Sequence, residues 1–315
     1  MASLHEISFH PALVLTGHNS PIYAMAFNAE QNTLYSAGSG GILAAWPNLN
    51  EMGQALAMAD AAIFSLQAWA NENFLFAGDA NGFLYLISTN GKTRARKIKA
   101  HEKGVFSIVL DENQNLLVTG GGDGTVAVWK LAELELKFRI TISPNTKIRS
   151  IQKSLFSLGN YLISCGTGHL YDFSSDTLKF RTVIEASDAS LNAFVQDNLR
   201  NTIITGGQDA HLRLWKYTSQ QWELIKEVPA HNFAIYAINC ILIDNEPLLI
   251  STSRDKTIKI FTLDLDFIQR LGTPVLKTAH MRSVNALTLL NYDQFASAGD
   301  DGRIIIWERY HPIFT

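Results

Sequence analysis

Apolar and polar residues alternate in short runs along the whole chain, and one arrangement of these runs recurs. Each copy has an apolar run, a turn of small residues that usually contains Asp, and an alternating run closed by an aromatic residue. Five copies are clear: LYSAGSGGILAAW, LLVTGGGDGTVAVW, IITGGQDAHLRLW, LISTSRDKTIKIF and FASAGDDGRIIIW. Two degenerate copies are LFAGDANGFLYLI and LISCGTGHLYDF. This pattern predicts a β protein built from seven repeated units.

The units recur at a nearly constant spacing of 41 to 46 residues. Their closing positions are Trp46, Ile87, Trp129, Phe173, Trp215, Phe261 and Trp307. A second marker, His followed four residues later by an apolar residue, precedes four units. These pairs are His18/Ile22, His101/Val105, His231/Ile235 and His280/Val284. The other three units have Ala59, Pro144 and Ser187 in place of the histidine.

These residues resemble the WD-repeat family, whose unit of ~40–45 residues folds as a four-stranded propeller blade with Gly-His and Trp-Asp signatures. The resemblance covers nearly the whole chain, although only Gly17-His18 keeps the Gly-His pair and no Trp is followed by Asp. It implies an all-β fold, a single seven-bladed β-propeller of four-stranded antiparallel blades. The expected blades cover residues 17–57, 58–99, 100–142, 143–185, 186–229, 230–278 and 279–310, with residues 9–16 added to the last.

Propellers of this family close when an N-terminal strand completes the last blade, which leaves no free sheet edge. Residues Phe9 to Thr16 precede the first His marker and belong to no earlier repeat, so we expect them to pair with the last blade. The run ALAMADAAIF from Ala55 favours helix by propensity, which is a weak guide. The repeat spacing outweighs it, and we expect strands with an irregular join.

Composition narrows the class of protein. The 315 residues include 26 Lys plus Arg against 29 Asp plus Glu, so no overall field attracts nucleic acid or anionic membrane. Cys165 and Cys240 offer neither a disulfide framework nor metal spacing, which fits a reducing compartment. No secretory signal and no apolar run of ~18 residues is recognisable. We expect a cytoplasmic protein, monomeric within a complex, with no membrane association and no cofactor.

His, a hydroxyl residue and Asp recur together in several units, as in a catalytic triad. Repetition favours a structural role, because a triad also needs a substrate cleft and an oxyanion site. The resemblance implies a buried hydrogen-bonded network with the strand-c Trp. Complete sets are His101, Thr119, Asp123, Trp129 in blade three and His280, Ser297, Asp301, Trp307 in blade seven. The other histidines lack metal-ligand spacing and predict no metal site; they are His5, His10, His169, His211 and His311.

The run KTRARKIK, from Lys92 to Lys99, carries five basic residues and is expected on the outer strand of blade two. Charge on an exposed edge strand prevents aggregation between sheets, and an anionic partner is the alternative. The run Gly120 to Gly124 lacks the Lys-Ser/Thr ending of a phosphate loop. It is predicted to form the turn between strands b and c, where positive φ values favour glycine.

The resemblance also implies where a partner binds, because WD-repeat propellers recognise partners largely through the narrower face. The residues that follow the strand-a apolar marker are Tyr23, Phe64, Phe106, Arg149, Asn192, Tyr236 and Asn285. The residues before the turn Asp are Gln208, Arg254 and Asp300. Strand alternation sends the first set toward the face or channel rim, where the aromatics form a crescent. Aromatics and Arg dominate binding hot spots, but packing between blades would explain the same rings.

We therefore expect a non-catalytic scaffold for protein–protein interaction that holds a peptide or protein surface on the aromatic crescent. One alternative is an enzyme with a site in the central channel, although no GxSxG, P-loop or dinucleotide fingerprint is present. The other is a binder of nucleic acid or another anionic ligand through residues 92–99, which the charge balance makes the weaker hypothesis.

Overall fold

Seven four-stranded antiparallel sheets form the protein in a computed structural model that describes residues 7–50, 52–273 and 276–310. Strands are called a, b, c and d from the inside of each blade to the outside. Blades one to six take these strands consecutively from the chain, whereas blade seven takes its strand d from the N-terminal segment. The seven-bladed fold predicted from the sequence is confirmed.

The strands of the first four blades follow the chain in order, and the N-terminal strand is β1 (Phe9–Leu15). Blade one contains β2 (Ile22–Asn28), β3 (Thr33–Gly38), β4 (Ile42–Pro47) and β5 (Gln54–Met58). Blade two contains β6 (Ile63–Trp69), β7 (Phe74–Asp79), β8 (Phe83–Ser88) and β9 (Arg96–Lys99). Blade three contains β10 (Val105–Asp111), β11 (Leu116–Gly121), β12 (Thr125–Lys130) and β13 (Glu135–Thr141). Blade four contains β14 (Ile148–Lys153), β15 (Asn160–Cys165), β16 (His169–Ser174) and β17 (Lys179–Glu185).

The last three blades continue the same order. Blade five contains β18 (Leu191–Asp197), β19 (Thr202–Gly207), β20 (His211–Thr218) and β21 (Gln221–Pro229). Blade six contains β22 (Ile235–Ile243), β23 (Glu246–Ser253), β24 (Ile258–Thr262) and β25 (Phe267–Leu271). Blade seven contains β26 (Val284–Leu289), β27 (Gln294–Gly299), β28 (Ile304–Arg309) and β1. Two short 3-10 helices, Ala70–Glu72 and Glu112–Gln114, lie in the a–b turns of blades two and three.

The seven a strands form a closed ring around a central channel. Each packs against the a strands of both neighbouring blades, and β26 packs against β2. β1 then pairs antiparallel with β28, from Phe9 opposite Arg309 to Leu15 opposite Ile304. The predicted closure by the N-terminal strand is therefore confirmed, and it satisfies the outer edge of β28.

The apolar core lies between neighbouring blades. The b strands are almost entirely buried on both faces, as in the all-buried stretches Thr33–Gly38 and Leu116–Gly121. One cluster joins Trp46 of blade one to Ile304 and Ile306 of blade seven, and others join each further pair of neighbours. The d strands are mostly exposed, so each blade is stabilised mainly by burial against the next one.

Two segments differ in part from what the sequence predicted. The helix-favouring run from Ala55 forms strand β5, a turn and strand β6, with Ala59 N–H donating to Gly41 O at 2.9 Å. Apart from a bulge that other c–d pairs share, this join is regular, and the expected irregularity is absent. The basic run lies only partly on a strand, since β9 begins at Arg96 and residues 92–95 connect to it.

Substituting Phe9 tests whether β1 stabilises the ring through its inward face. Phe9 is 2% exposed and its ring meets Phe295 at a centroid distance of 5.3 Å, whereas His10, the next residue, is exposed. We expect Phe9→Ala to lower the free energy of unfolding by about 3–5 kcal/mol, measured by urea denaturation. The control His10→Ala is expected to change it much less. Equal losses in the two variants would contradict this role of the inward face.

Candidate functional site

A β-bulge occurs at the same place in all seven blades, directly after the first residue of strand a. The a–b pairing skips one residue there in every blade, between Ile22 and Ala24 in blade one for example. The skipped residues are Tyr23, Phe64, Phe106, Arg149, Asn192, Tyr236 and Asn285. A bulge redirects its side chain and increases the local twist. The seven residues that follow the strand-a marker, which the sequence placed in the recognition set with Arg254 and Asp300, are thus the bulged residues of the ring.

All seven bulged side chains, together with Asp300, line one cavity of about 450 Å³ at the mouth of the channel. This mouth lies on the side where the a strands begin, which we call the upper face. Below it, the remainder of strands a lines the channel. The arrangement brings residues from all seven blades, far apart in the sequence, within reach of a single ligand.

Three of the four aromatic residues at the mouth form a continuous row. The rings of Tyr23 and Phe64 have centroids 5.7 Å apart, and those of Phe64 and Phe106 are stacked at 4.9 Å with an interplanar angle of 11°. All three are half-buried. Tyr236 lines the same cavity but makes no ring contact with this row among the described residues. The expected crescent is therefore a row on blades one to three with a separate tyrosine on blade six.

Two asparagines of the bulged set bind to the neighbouring blade. Asn192 Nδ2 donates to Ile235 O at 2.7 Å, and Asn285 Nδ2 donates to Ile22 O at 2.9 Å. Asn285 Nδ2 also donates to Asp300 Oδ1 at 2.7 Å. Since Ile235 and Ile22 begin the next a strands, these amides tie adjacent blades together, which gives them a structural role at the mouth.

The cationic residues at the mouth lie on blades four and six. Arg149 Nε donates to Ser190 Oγ at 3.0 Å, and its guanidinium carbon lies 5.9 Å from the centroid of the Phe106 ring. Arg254 is exposed in the b–c turn of blade six. It lines an adjoining cavity of about 320 Å³, which it shares with Arg149 and Tyr236. Sequence reasoning missed Lys147, whose Nζ lies 5.0 Å from the Phe106 centroid, because it precedes the strand-a marker.

The expected polar networks are present as hydrogen bonds in blades three and seven. In blade seven, Trp307 Nε1 donates to Ser297 Oγ at 2.7 Å, His280 Nε2 lies 2.8 Å from the same oxygen, and His280 Nδ1 lies 3.0 Å from Asp301. In blade three, Trp129 Nε1 donates to Thr119 Oγ1 at 3.1 Å, and His101 Nε2 lies 2.8 Å from it.

His101 reaches Asp123 mainly through a bridging hydroxyl. Its Nδ1 lies 2.9 Å from Thr125 Oγ1 and 3.4 Å from Asp123 Oδ1, and Thr125 Oγ1 donates to that carboxylate at 2.7 Å. Gly121 is packed against the pair, because a Cβ there would lie 2.3 Å from His101 Nδ1. Gly124 has φ +83° in the b–c turn, as the glycine-rich run predicts.

Parts of the network recur in three other blades. Blade six has His231 Nδ1 2.9 Å from Asp255 Oδ2 and His231 Nε2 2.8 Å from Ser251, with Phe261 in place of Trp. Blade one keeps His18, Ser36 and Trp46 but has Gly40 where the Asp would be. Blade five keeps the bond from Trp215 Nε1 to Thr205 Oγ1 at 2.9 Å. The network is therefore a structural element that is complete in blades three and seven and partial in blades one, five and six.

The protonation states fit buried hydrogen bonding. Burial lowers the pKa of His231 despite the opposing effect of Asp255. Burial alone would raise the pKa of Asp301, but hydrogen bonds from His280 and the main chain lower it to about 2. A neutral His231 donates from Nδ1 to the ionised Asp255, and its Nε2 lies 2.8 Å from the Ser251 hydroxyl oxygen, which also lies 3.3 Å from Lys259 O. The hydroxyl residues Thr119, Ser251 and Ser297 are all 0% exposed, so no substrate reaches them.

The basic run is engaged mainly within the protein. Lys97 Nζ forms an ion pair with Asp60 at 2.6 Å and lies 4.2 Å from the Phe83 ring centroid. Lys99 Nζ donates to Asn81 O at 2.7 Å, and Arg96 donates to Glu133 O at 2.9 Å. These contacts attach the outer strand of blade two to its surroundings and weaken the case for an anion-binding surface there.

A cavity of about 570 Å³ between blades four and five was not predicted. Its aromatic lining centres on Trp222, whose ring meets Phe156 at 5.1 Å and Tyr217 at 5.3 Å. Asp172 at its side accepts a hydrogen bond from Asn160 Nδ2 at 2.8 Å. The lining residues lie in strands b, c and d and in a–b turns, and the named ones stand outside the marker positions of the repeat, so the sequence carries no signal for the groove.

The described residues contain no group of three or more His, Cys, Asp or Glu side chains arranged to hold a metal ion. His5 and His311 lie outside the described ranges.

Burial raises the pKa of the Cys240 thiol to about 12. No helix within the part of the chain that the structure describes is long and apolar enough to cross a membrane.

Seven four-stranded blades, a repeated Trp–hydroxyl–His network and an open channel mouth define a repeat propeller with an accessible face. A family model described as "WD domain, G-beta repeat" matches residues 9–46, 92–130, 222–262 and 272–308. The solved WD40 β-propeller domain of Doa1 superposes with a TM-score of 0.81 at 15% identity, covering 96% of this chain and 97% of that one. The chain belongs to the WD40-repeat β-propeller family.

Curated relatives share about a quarter of their aligned residues with this chain. A p21-activated protein kinase-interacting protein 1-like protein of Danio rerio is 26% identical over 67% of this chain and 55% of that protein. A probable cytosolic iron-sulfur protein assembly protein 1 of Meyerozyma guilliermondii is 27% identical over 55% and 44%. Eukaryotic translation initiation factor 3 subunit I of Candida albicans is 24% identical over 72% and 71%. The chain spans about half the length of the first two.

Removing the carboxylate of Asp301 tests the structural role of the network. The variant Asp301→Ala leaves His280 Nδ1 and the Met281 main-chain N–H without their acceptor. We expect it to lower the free energy of unfolding by about 1–3 kcal/mol, measured by urea denaturation, and we expect the same of Asp123→Ala. The control Asp188→Ala, at an exposed position, is expected to be nearly neutral. An unchanged midpoint in both network variants would refute the role.

Acidification tests the neutral state of His231. Its folded pKa lies below the ordinary value of 6.5, so the unfolded chain takes up the proton first as the pH falls. The stability that the neutral imidazole contributes above pH 6.5 is therefore lost progressively below it. We expect urea unfolding at several pH values between about 7.5 and 5 to show a smaller pH slope for His231→Asn than for wild type. The exposed His10→Gln is the control, and a wild-type slope in His231→Asn would exclude this contribution.

Proposed function

We propose that this chain is a non-catalytic interaction scaffold that binds a peptide or a protein segment at the mouth of its channel on the upper face. The observation that carries the proposal is the cavity of about 450 Å³ lined by the seven bulged residues and Asp300. Every blade contributes its bulged side chain to the cavity, and blade seven adds Asp300. Most of the lining is therefore set by residues that are not paired in the sheets.

The aromatic row supplies the main apolar contact for a partner. Tyr23, Phe64 and Phe106 are half-buried, in contrast to the aromatic core residues Phe76 and Phe295, which are 0% exposed. Rings that served only to pack the blades together would be covered in the same way as the core rings. Partly exposed aromatic rings at the edge of a concave site are typical of binding hot spots, because they desolvate a large area with little loss of side-chain entropy.

The names of two relatives support a role in protein assemblies. One relative is named for its interaction with p21-activated protein kinase, and another is a subunit of eukaryotic translation initiation factor 3. WD40 propellers are generally non-catalytic, and the repeated His–hydroxyl–Asp sets of this chain are buried structural bonds. A protein partner on a rigid propeller accounts for these features without a reaction step.

Removing the aromatic row tests the proposal. We expect the double variant Phe64→Ala/Phe106→Ala to lose at least one protein that copurifies with the tagged wild-type chain from its native cell extract. The physical reason is the loss of two stacked rings, each of which is worth more than about 1 kcal/mol at a hot spot. Quantitative mass spectrometry of the copurified proteins gives the measurement.

The matched control is Leu199→Ala/Tyr292→Ala, which removes two exposed apolar side chains from a–b turns, away from the upper face. Thermal unfolding of all three proteins shows whether each variant is folded. Identical sets of retained proteins for the wild type, the control and a folded Phe64→Ala/Phe106→Ala variant would overturn the proposal and assign the rings to packing.

A further inference from the structure

The two cations beside Phe106 have no anionic partner within the described part of the chain. Arg149 uses only its Nε, which donates to Ser190 Oγ, and its two terminal nitrogens bind no described residue. Lys147 makes no hydrogen bond or ion pair among these residues. Both side chains lie over one ring, with Lys147 Nζ 5.0 Å and Arg149 Cζ 5.9 Å from the Phe106 centroid.

Several surface cations of the propeller are paired with carboxylates. Arg213 forms ion pairs with Asp209 at 2.7 Å and Glu227 at 3.1 Å, and Lys226 forms one with Asp266 at 2.7 Å. Lys147 and Arg149 differ from these paired cations because they lie together over one aromatic ring without a carboxylate partner among the described residues. On the opposite side of the mouth, the carboxylate of Asp300 is held by Asn285, so the cavity has a positive side on blade four, beside the Phe106 ring of blade three.

The electrostatics of this positive side favour an incoming negative charge. Partial burial lowers the pKa of Lys147, and the charge of Arg149 lowers it further. Burial also lowers the pKa of Arg149. Both effects mean that the cationic forms are less stable here than in water, and a carboxylate at hydrogen-bond distance would compensate them. Charge-assisted hydrogen bonds from a guanidinium fork are also stronger than neutral ones.

We propose that the mouth of the channel binds a short acidic segment of a partner protein, with an Asp or Glu carboxylate held by Lys147 and Arg149 and a neighbouring apolar side chain on the aromatic row. This inference rests on the proposed scaffold function and names the chemistry of its partner. The row ends at Phe106, where the cations begin, so the ligand must join an apolar group to an anion. Consecutive residues of a peptide provide this combination.

Peptide selection tests the chemistry without knowledge of the partner. The probe is a phage-displayed library of random linear dodecapeptides, selected on immobilised wild-type protein. We expect the selected peptides to be enriched in Asp or Glu beside an apolar residue. Synthetic copies are then titrated by fluorescence anisotropy against three variants: Lys147→Gln/Arg149→Gln, Phe64→Ala/Phe106→Ala and the control Lys179→Gln/Lys216→Gln, which removes two exposed cations from outer positions.

Loss of the two mouth cations is expected to weaken binding by about tenfold or more, because the peptide carboxylate loses both partners. Raising the ionic strength is expected to weaken wild-type binding for the same reason. The control variant is expected to bind as the wild type does. Lys147→Gln alone changes a side chain without hydrogen bonds to the protein, so its effect is separate from any effect on folding.

The possible outcomes separate the two proposals. Peptides that need Phe64 and Phe106 but show no acidic enrichment, or that bind Lys147→Gln/Arg149→Gln as tightly as wild type, overturn the acidic partner and leave the scaffold function standing. Selection of no peptide that depends on Phe64 and Phe106 overturns the scaffold function at this face, and the acidic segment with it. Acidic peptides sensitive to both variants support both proposals.

Discussion

Burial of apolar surface between neighbouring blades is the interaction on which the rest of the structure depends. The b strands are buried on both faces, so a blade without two neighbours would expose a sheet that has no polar side. Seven blades meet this requirement only when the ring closes, and closure requires β1 to fill the outer position of blade seven. The hydrogen-bonded networks then fix individual turns, but they act inside a ring that apolar packing has already formed.

The repeat made the fold predictable from the sequence. The repeat spacing, supported in most blades by turn glycines and a closing aromatic, identified all seven blades, including the helix-favouring run at Ala55, where packing outweighs local propensity. The residues at the mouth of the channel were predicted as well, because they follow a fixed marker in each repeat. The alternation of side chains along a strand predicted that these residues face the channel rim. The structure shows in addition a β-bulge at each of these positions.

Other features depend on contacts between blades, and the sequence of one repeat contains no information about them. Lys147 lies beside the mouth because its side chain, from the loop before β14, places Nζ over the Phe106 ring of the preceding blade. Tyr236 stays apart from the aromatic row because Asn285 of blade seven lies between it and Tyr23 in the ring. The groove at Trp222 similarly forms from outer strands and turns of two blades, whose residue types the repeat does not constrain.

Because of the seven bulges, the residues available to bind a partner differ from those that hold the sheets together. A bulged residue is omitted from the ladder of its own sheet, so its identity has little influence on strand register, and the seven equivalent positions already carry side chains as different as Phe, Arg and Asn. Specificity at the mouth can therefore diverge by exchange of single side chains while the core is preserved. The same property makes the ring a ready scaffold for engineering, in which one set of seven positions is rewritten to accept a new ligand.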